Sequence, residues 1–94
     1  MTKVSSFNVT YDHDSDVLYI SRRAVPAARG IEDSFGIVWR YDAAGDLIGA
    51  TIVDFYDHWF DKRPQLAKEI SSRFKIPRNQ ANVVLDHALE SGAE

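Results

Sequence analysis

The chain has 94 residues, 45% hydrophobic and 27% charged, with a formal net charge of −3 and no cysteine. This is the composition of one soluble globular domain, and the lack of cysteine excludes a disulfide scaffold and every thiolate metal site. No apolar run reaches the ~18 residues of a membrane span, and the start Met1-Thr2-Lys3-Val4-Ser5-Ser6-Phe7 lacks a signal-peptide apolar stretch, so a cytoplasmic protein without membrane attachment is expected.

Phe7, Val9 and Tyr11 alternate with polar residues, the period of a half-buried strand. Asp12 to Asp16 reads as a turn whose short side chains bond their own backbone. Val17-Leu18-Tyr19-Ile20 is apolar on both faces, which predicts a central strand. Arg22 to Gly30, interrupted by Pro26, reads as a loop or weak edge, with a brief pairing at Gly30-Ile31-Glu32 before a turn over Asp33-Ser34-Phe35-Gly36. Ile37 to Tyr41 is the next strand. Ala43-Ala44-Gly45 forms a hairpin loop with glycine where a left-handed backbone is needed. Leu47 to Phe55 is the last strand, with Ile48, Ala50 and Ile52 on one face and Leu47, Val53 and Phe55 on the other.

Beyond Asp57 the period becomes helical. Leu66, Ala67, Ile70 and Phe74 share a face, and Pro64 suits a first helical turn. A second helix reads from Arg78 to Ser91 with an apolar stripe of Ala81, Val84, Leu85, Ala88 and Leu89; Pro77 separates the two and Gly92 marks the end. The predicted class is α+β, one domain over 1–94: an antiparallel β-meander of about four to five strands over 1–56, then a helical tail over 57–94. Two short helices cover one face of such a sheet. The other face, carrying either the Phe7, Val9, Tyr11, Trp39, Tyr41 set or its alternates, is left to a partner, and a homodimer is expected.

Two segments share one grammar. Tyr11-Asp12, a polar loop, then Asp16-Val17-Leu18-Tyr19-Ile20 is echoed by Tyr41-Asp42, a loop through Gly45, then Asp46-Leu47-Ile48-Gly49, followed by Ile52-Val53-Asp54. Over roughly residues 7–55 this resembles the bacterial domain of unknown function family 2283, short β-meander proteins. The resemblance implies a small antiparallel sheet and a bacterial cytoplasmic home, in a family similar in size to small accessory or antitoxin-like proteins, and it brings no catalytic residues. Ala50-Thr51 departs from the more apolar pair usual after Gly49, and the tail lies outside the resemblance.

Asp12, Asp14 and Asp16 superficially open a calcium loop, but the positions requiring glycine and glutamate are Val17 and Arg23, so an acidic turn is expected. Asp54, Asp57, His58 and Asp61, beside Trp59, form the candidate ligand or metal cluster, because histidine with carboxylates can act as a base or hold a cation. The simpler reading is that Asp61 starts a helix while Trp59 and Phe60 cap the core. His87 reads as a helix-face residue, and no glycine-rich phosphate loop is present.

The six basic residues of the second part of the chain all fall within 62–78, where Glu69 is the only acid. Residues 64–89 therefore also read as a helix-turn-helix-like tail, with Arg78, Asn79 and Gln80 placed to touch bases and Lys68, Arg73 and Lys75 to touch phosphates. The competing reading makes Ala81, Val84, Leu85, Ala88 and Leu89 a dimer interface. Taken together, the residues point to a non-enzymatic, homodimeric module binding a protein partner, with no catalytic residue, cofactor or resident metal. DNA binding through the tail is the alternative, and a metal- or ligand-binding enzyme around His58 the third reading.

Overall fold

The computed structural model describes residues 2–4, 7–23 and 25–92, and the side chains of residues 7–23 and 25–87. Strands β1 (Thr2–Val4), β2 (Phe7–Asp12), β3 (Val17–Ser21), β4 (Arg29–Glu32), β5 (Ile37–Tyr41) and β6 (Leu47–Val53) come first. Helix α1 (Phe55–Trp59), a 3-10 turn (Phe60–Lys62), α2 (Arg63–Phe74) and α3 (Arg78–Gly92) follow. The expected class is observed: an antiparallel sheet, then C-terminal helices. The short β1 extends the sheet to six strands in the order β1-β2-β3-β6-β5-β4, all antiparallel.

Each half of the sheet is a meander, and the two halves join through their last strands. The duplicated sequence grammar becomes duplicated register. Val9 opposite Ile20 in β2–β3 corresponds to Trp39 opposite Ala50 in β5–β6, and Thr10 opposite Tyr19 corresponds to Arg40 opposite Gly49. At the seam Ile20 of β3 faces Ala50 of β6, so equivalent residues of the two hairpins meet. The doubly apolar β3 lies centrally, as its composition predicts.

Alternation places Phe7, Val9, Leu18, Ile20, Ile37, Trp39, Ala50 and Ile52 on one face, where all are buried with Phe55, Trp59 and the helices. Leu66, Ala67, Ile70 and Phe74 of α2 complete this core, as their helical spacing requires. The Phe74 ring stands edge-on to Phe7 at 5.1 Å and to Trp39 at 6.0 Å. Of the two sets considered for the opposite face, the structure selects the alternates: Val17, Tyr19, Val38, Thr51 and Val53 point away from the helices.

Two expectations are corrected. Phe55 does not continue the last strand. Asp54 takes a left-handed backbone (φ 56°), the strand stops at Val53, and Phe55 enters α1 with its ring buried. Pro77 lies between α2 and α3 as expected, and α2 closes just before it: Lys75 is left-handed (φ 58°), and its N–H and that of Ile76 both donate to Ser71 O. Finally, Ala81, Val84 and Leu85, expected at a dimer interface, are 0%, 0% and 1% exposed within the chain's own core. An amphipathic stripe says only that a helix buries one side, and here β2 and α2 of the same chain supply the cover. Ala88 and Leu89 lie outside the residues whose side chains are described.

Two substitutions test this packing. Leu85→Ala should cost about 2–5 kcal/mol of unfolding free energy in urea titration, the usual cost of emptying a core leucine site. Gly49→Ala should destabilise by roughly 1–3 kcal/mol, because its Cβ would come 2.7 Å from Ile20 O and run into the Arg40 guanidinium.

Candidate functional site

A carboxylate with three hydrogen bonds joins the first hairpin to the helices. Asp16 sits left-handed (φ 56°) at the end of the β2–β3 turn, a conformation aspartate tolerates better than most residues. Its carboxylate accepts the Tyr11 hydroxyl (2.5 Å) and the backbone N–H groups of Tyr56 (2.7 Å) and Asp57 (3.0 Å), while its own carbonyl accepts Phe55 N–H (3.0 Å). The residue at the N-cap of α1, Asp54, makes no side-chain cap bond. Asp16 supplies that cap from a distant loop, satisfying N–H groups that a helix start leaves open.

Desolvation pushes the Asp16 carboxyl up, but the bonds from Tyr11, Asp57 and Tyr56, with the nearby His13, together hold it below its ordinary value of 3.8. Desolvation and the bond to Asp16 push the Tyr11 hydroxyl up to about 12. Asp33 repeats the logic in the β4–β5 turn. Its carboxylate accepts Phe35 N–H, Ile37 N–H and the Trp39 indole N–H, and these outweigh desolvation to keep it ionised below the ordinary range. These clusters anchor loops and a helix.

The candidate cluster of Asp54, Asp57, His58 and Asp61 is placed on α1 and the turn after it, with all four exposed. His58 N–H donates to Asp54 O (2.8 Å) and its ring stands edge-on to Trp59 at 5.1 Å. Among the described residues they do not form a group of three or more able to hold a metal. Asp54 and His58 share an open groove of about 310 Å³ with Phe35, Val38 and Val53, but Asp57 and Asp61 do not line it. Asp61 lies in the 3-10 turn, and α2 starts at Arg63 with Pro64 in its first turn.

The candidate nucleic-acid residues are spread over α2, its corner and the first turn of α3. Lys68, Arg73, Lys75, Arg78 and Asn79 are exposed and Gln80 is half-buried. The structure brings Arg73 and Lys75 together with two residues the sequence did not nominate, Arg22 and Arg23, in a cleft of about 460 Å³ that Tyr41, Asp46 and Leu47 also line. The Arg22 and Arg23 pair directly after the central strand was the available signal. Nothing local in the sequence shows that this strand exit meets the end of α2.

The helix-free face of the sheet is the third feature. Val17 lies opposite Val53, and Thr51 lies opposite both Tyr19 and Val38. Tyr19 is 41% and Val53 45% exposed. Arg40 lies flat over Gly49, donating to Ile20 O at 2.9 Å; desolvation lowers its pKa, opposed by Tyr19.

The fold thus defines a small α+β protein built on a duplicated antiparallel hairpin and carrying a C-terminal helical pair. The family described as "Protein of unknown function (DUF2283)" matches residues 8–55, spanning β2 through the start of α1. The chain belongs to that family, and its α2–α3 pair lies outside the matched region. No curated protein and no solved structure matches it. No helix among the described residues is long and apolar enough to cross a membrane.

The Asp16 cap has a pH signature. A carboxyl held below its unfolded pKa contributes stability that is present above the unfolded value, near 3.8, and lost as pH falls through the folded one. Asp16→Asn should therefore lower the melting temperature at pH 7 and weaken its dependence on pH between about 5 and 2, as followed by circular dichroism.

Proposed function

We propose that the chain is a non-enzymatic interaction module that acts as a homodimer through the helix-free face of its sheet. Such a dimer would suit an accessory or antitoxin-like role with a protein partner. The observation that supports this reading is the character of that face. Val17, Tyr19, Val38, Thr51 and Val53 lie in cross-strand register on the central strands, where a solvated face would carry charge. The described charges toward the β4 side, Glu32 and Arg40, are of opposite sign, so a second copy in two-fold packing brings an apolar centre and a complementary pair. Sheets stacked face to face interdigitate side chains at about 10 Å separation, a spacing suited to valine and threonine. Monomers rarely leave such a surface to water.

The test is sedimentation velocity at micromolar concentration. The native protein should sediment as a dimer, and Val53→Asp should sediment as a monomer with an unchanged far-ultraviolet circular dichroism spectrum. A native monomer at these concentrations, or a Val53→Asp protein that stays dimeric, would refute the face.

A further inference from the structure

We infer that the cleft between the exit of β3 and the α2–α3 corner is a binding site for a phosphate group. Four cationic side chains line it, Arg22 and Arg23 from the strand exit and Arg73 and Lys75 from the end of α2. This concentration occurs in a chain whose net charge is −3. Asp46 is the acid among the lining residues, and Arg23 pairs with both Asp42 and Asp46.

The three arginines are held in place, Arg23 being shared with Asp42 and Asp46 and Arg73 drawn toward the Asp33 carboxylate. The Arg22 guanidinium donates through Nη2 to Phe74 O (2.5 Å) and lies 5.0 Å from the Phe74 ring and 5.4 Å from the Phe7 ring. Arg73 lies over Trp39 at 5.0 Å. Arg23 donates through Nη2 to Asp42. A guanidinium has five N–H donors, so these contacts fix the heads and leave donors for a ligand. Such pre-organisation removes much of the entropy cost of ordering long side chains on binding.

Arg22 also answers one of the carbonyls at the C-terminus of α2, offsetting the negative end of the helix that would otherwise oppose an anion. Lys75, left-handed at the corner, projects from a position with its backbone already committed to the cap. Several forked donors and an ammonium around one space match a phosphate, with its several oxygens and more than one charge, better than a single carboxylate. The cleft volume of about 460 Å³ exceeds a phosphate alone, leaving room beside Tyr41 and Leu47 for the rest of the molecule. The site faces the helical side, so a dimer formed through the opposite sheet face leaves it open.

Calorimetry with pyrophosphate and fluorescence anisotropy with a labelled single-stranded oligonucleotide, both at fixed ionic strength, separate the sources of the phosphate. Saturable pyrophosphate binding indicates a small phosphorylated ligand, and binding of the oligonucleotide alone indicates a nucleic-acid backbone. In either case Lys75→Gln, and Arg23→Gln with Lys75→Gln, should weaken binding by roughly tenfold or more. Lys62→Gln with Lys68→Gln, which removes the same charge from outside the cleft, should leave pyrophosphate affinity within about twofold and lower oligonucleotide affinity less than the cleft pair. The inference is overturned if neither probe binds, if the cleft variants bind as the native protein does, or if the control pair weakens binding equally. Lys75 is exposed, and an unchanged circular dichroism melting curve for Lys75→Gln separates a loss of binding from a loss of folding.

Discussion

Everything in this fold depends on the pairing of β3 with β6. Each hairpin is local: β2 and β3 are joined by a short turn, and so are β5 and β6. The seam between them has no such help, because the residues that meet across it are far apart in sequence. What holds it is burial. Leu18 and Ile20 on one strand and Ala50 and Ile52 on the other are all fully buried, and a one-residue slip would turn them toward water. Helices α2 and α3 close over that register, so the seam and the helical layer stabilise each other.

The change from strand to helix is managed by one loop residue. A chain leaving an edge-to-edge ladder and entering a helix must satisfy open N–H groups. Asp16 does so from the turn that leads into the neighbouring strand, with Tyr11 aligning its carboxylate. The first acid of each loop acts alike, Asp12 accepting the N–H groups of Asp14 and Ser15 and Asp42 those of Ala44 and Asp46. The second differs: Asp46, which corresponds to Asp16, lies 3.7 Å from Arg23 instead of capping a helix. Duplicated sequence has given duplicated register with divergent loops.

Much of the architecture was legible because it is periodic. Alternation marked β2, β5 and β6, helical spacing marked the buried positions of α2, and the double apolarity of β3 marked its central place. What was not legible depends on partners distant in sequence. The stripe of Ala81, Val84 and Leu85 has the same appearance whether it meets another chain or its own β2. The left-handed turn at Asp54 carries no glycine to announce it, so the strand seemed to run on to Phe55. The basic cleft is assembled from a strand exit and a helix end, and only its α2 half, Arg73 and Lys75, stood out as part of a charge run. The cluster around His58 looked convergent because its members are close in sequence, yet a single helical turn points neighbours in different directions.

The short outer strands carry a consequence for behaviour at high concentration. β1 has three residues and β4 four, and β4 carries Arg29, Gly30 and Glu32 on its rim. Antiparallel sheets with long, flat, apolar rims recruit further chains strand by strand, whereas brief charged ones present too few bonding groups to template growth. Rims of this kind disfavour fibrillar growth, and the apolar central strands β3 and β6 are shielded from lateral extension by their neighbours.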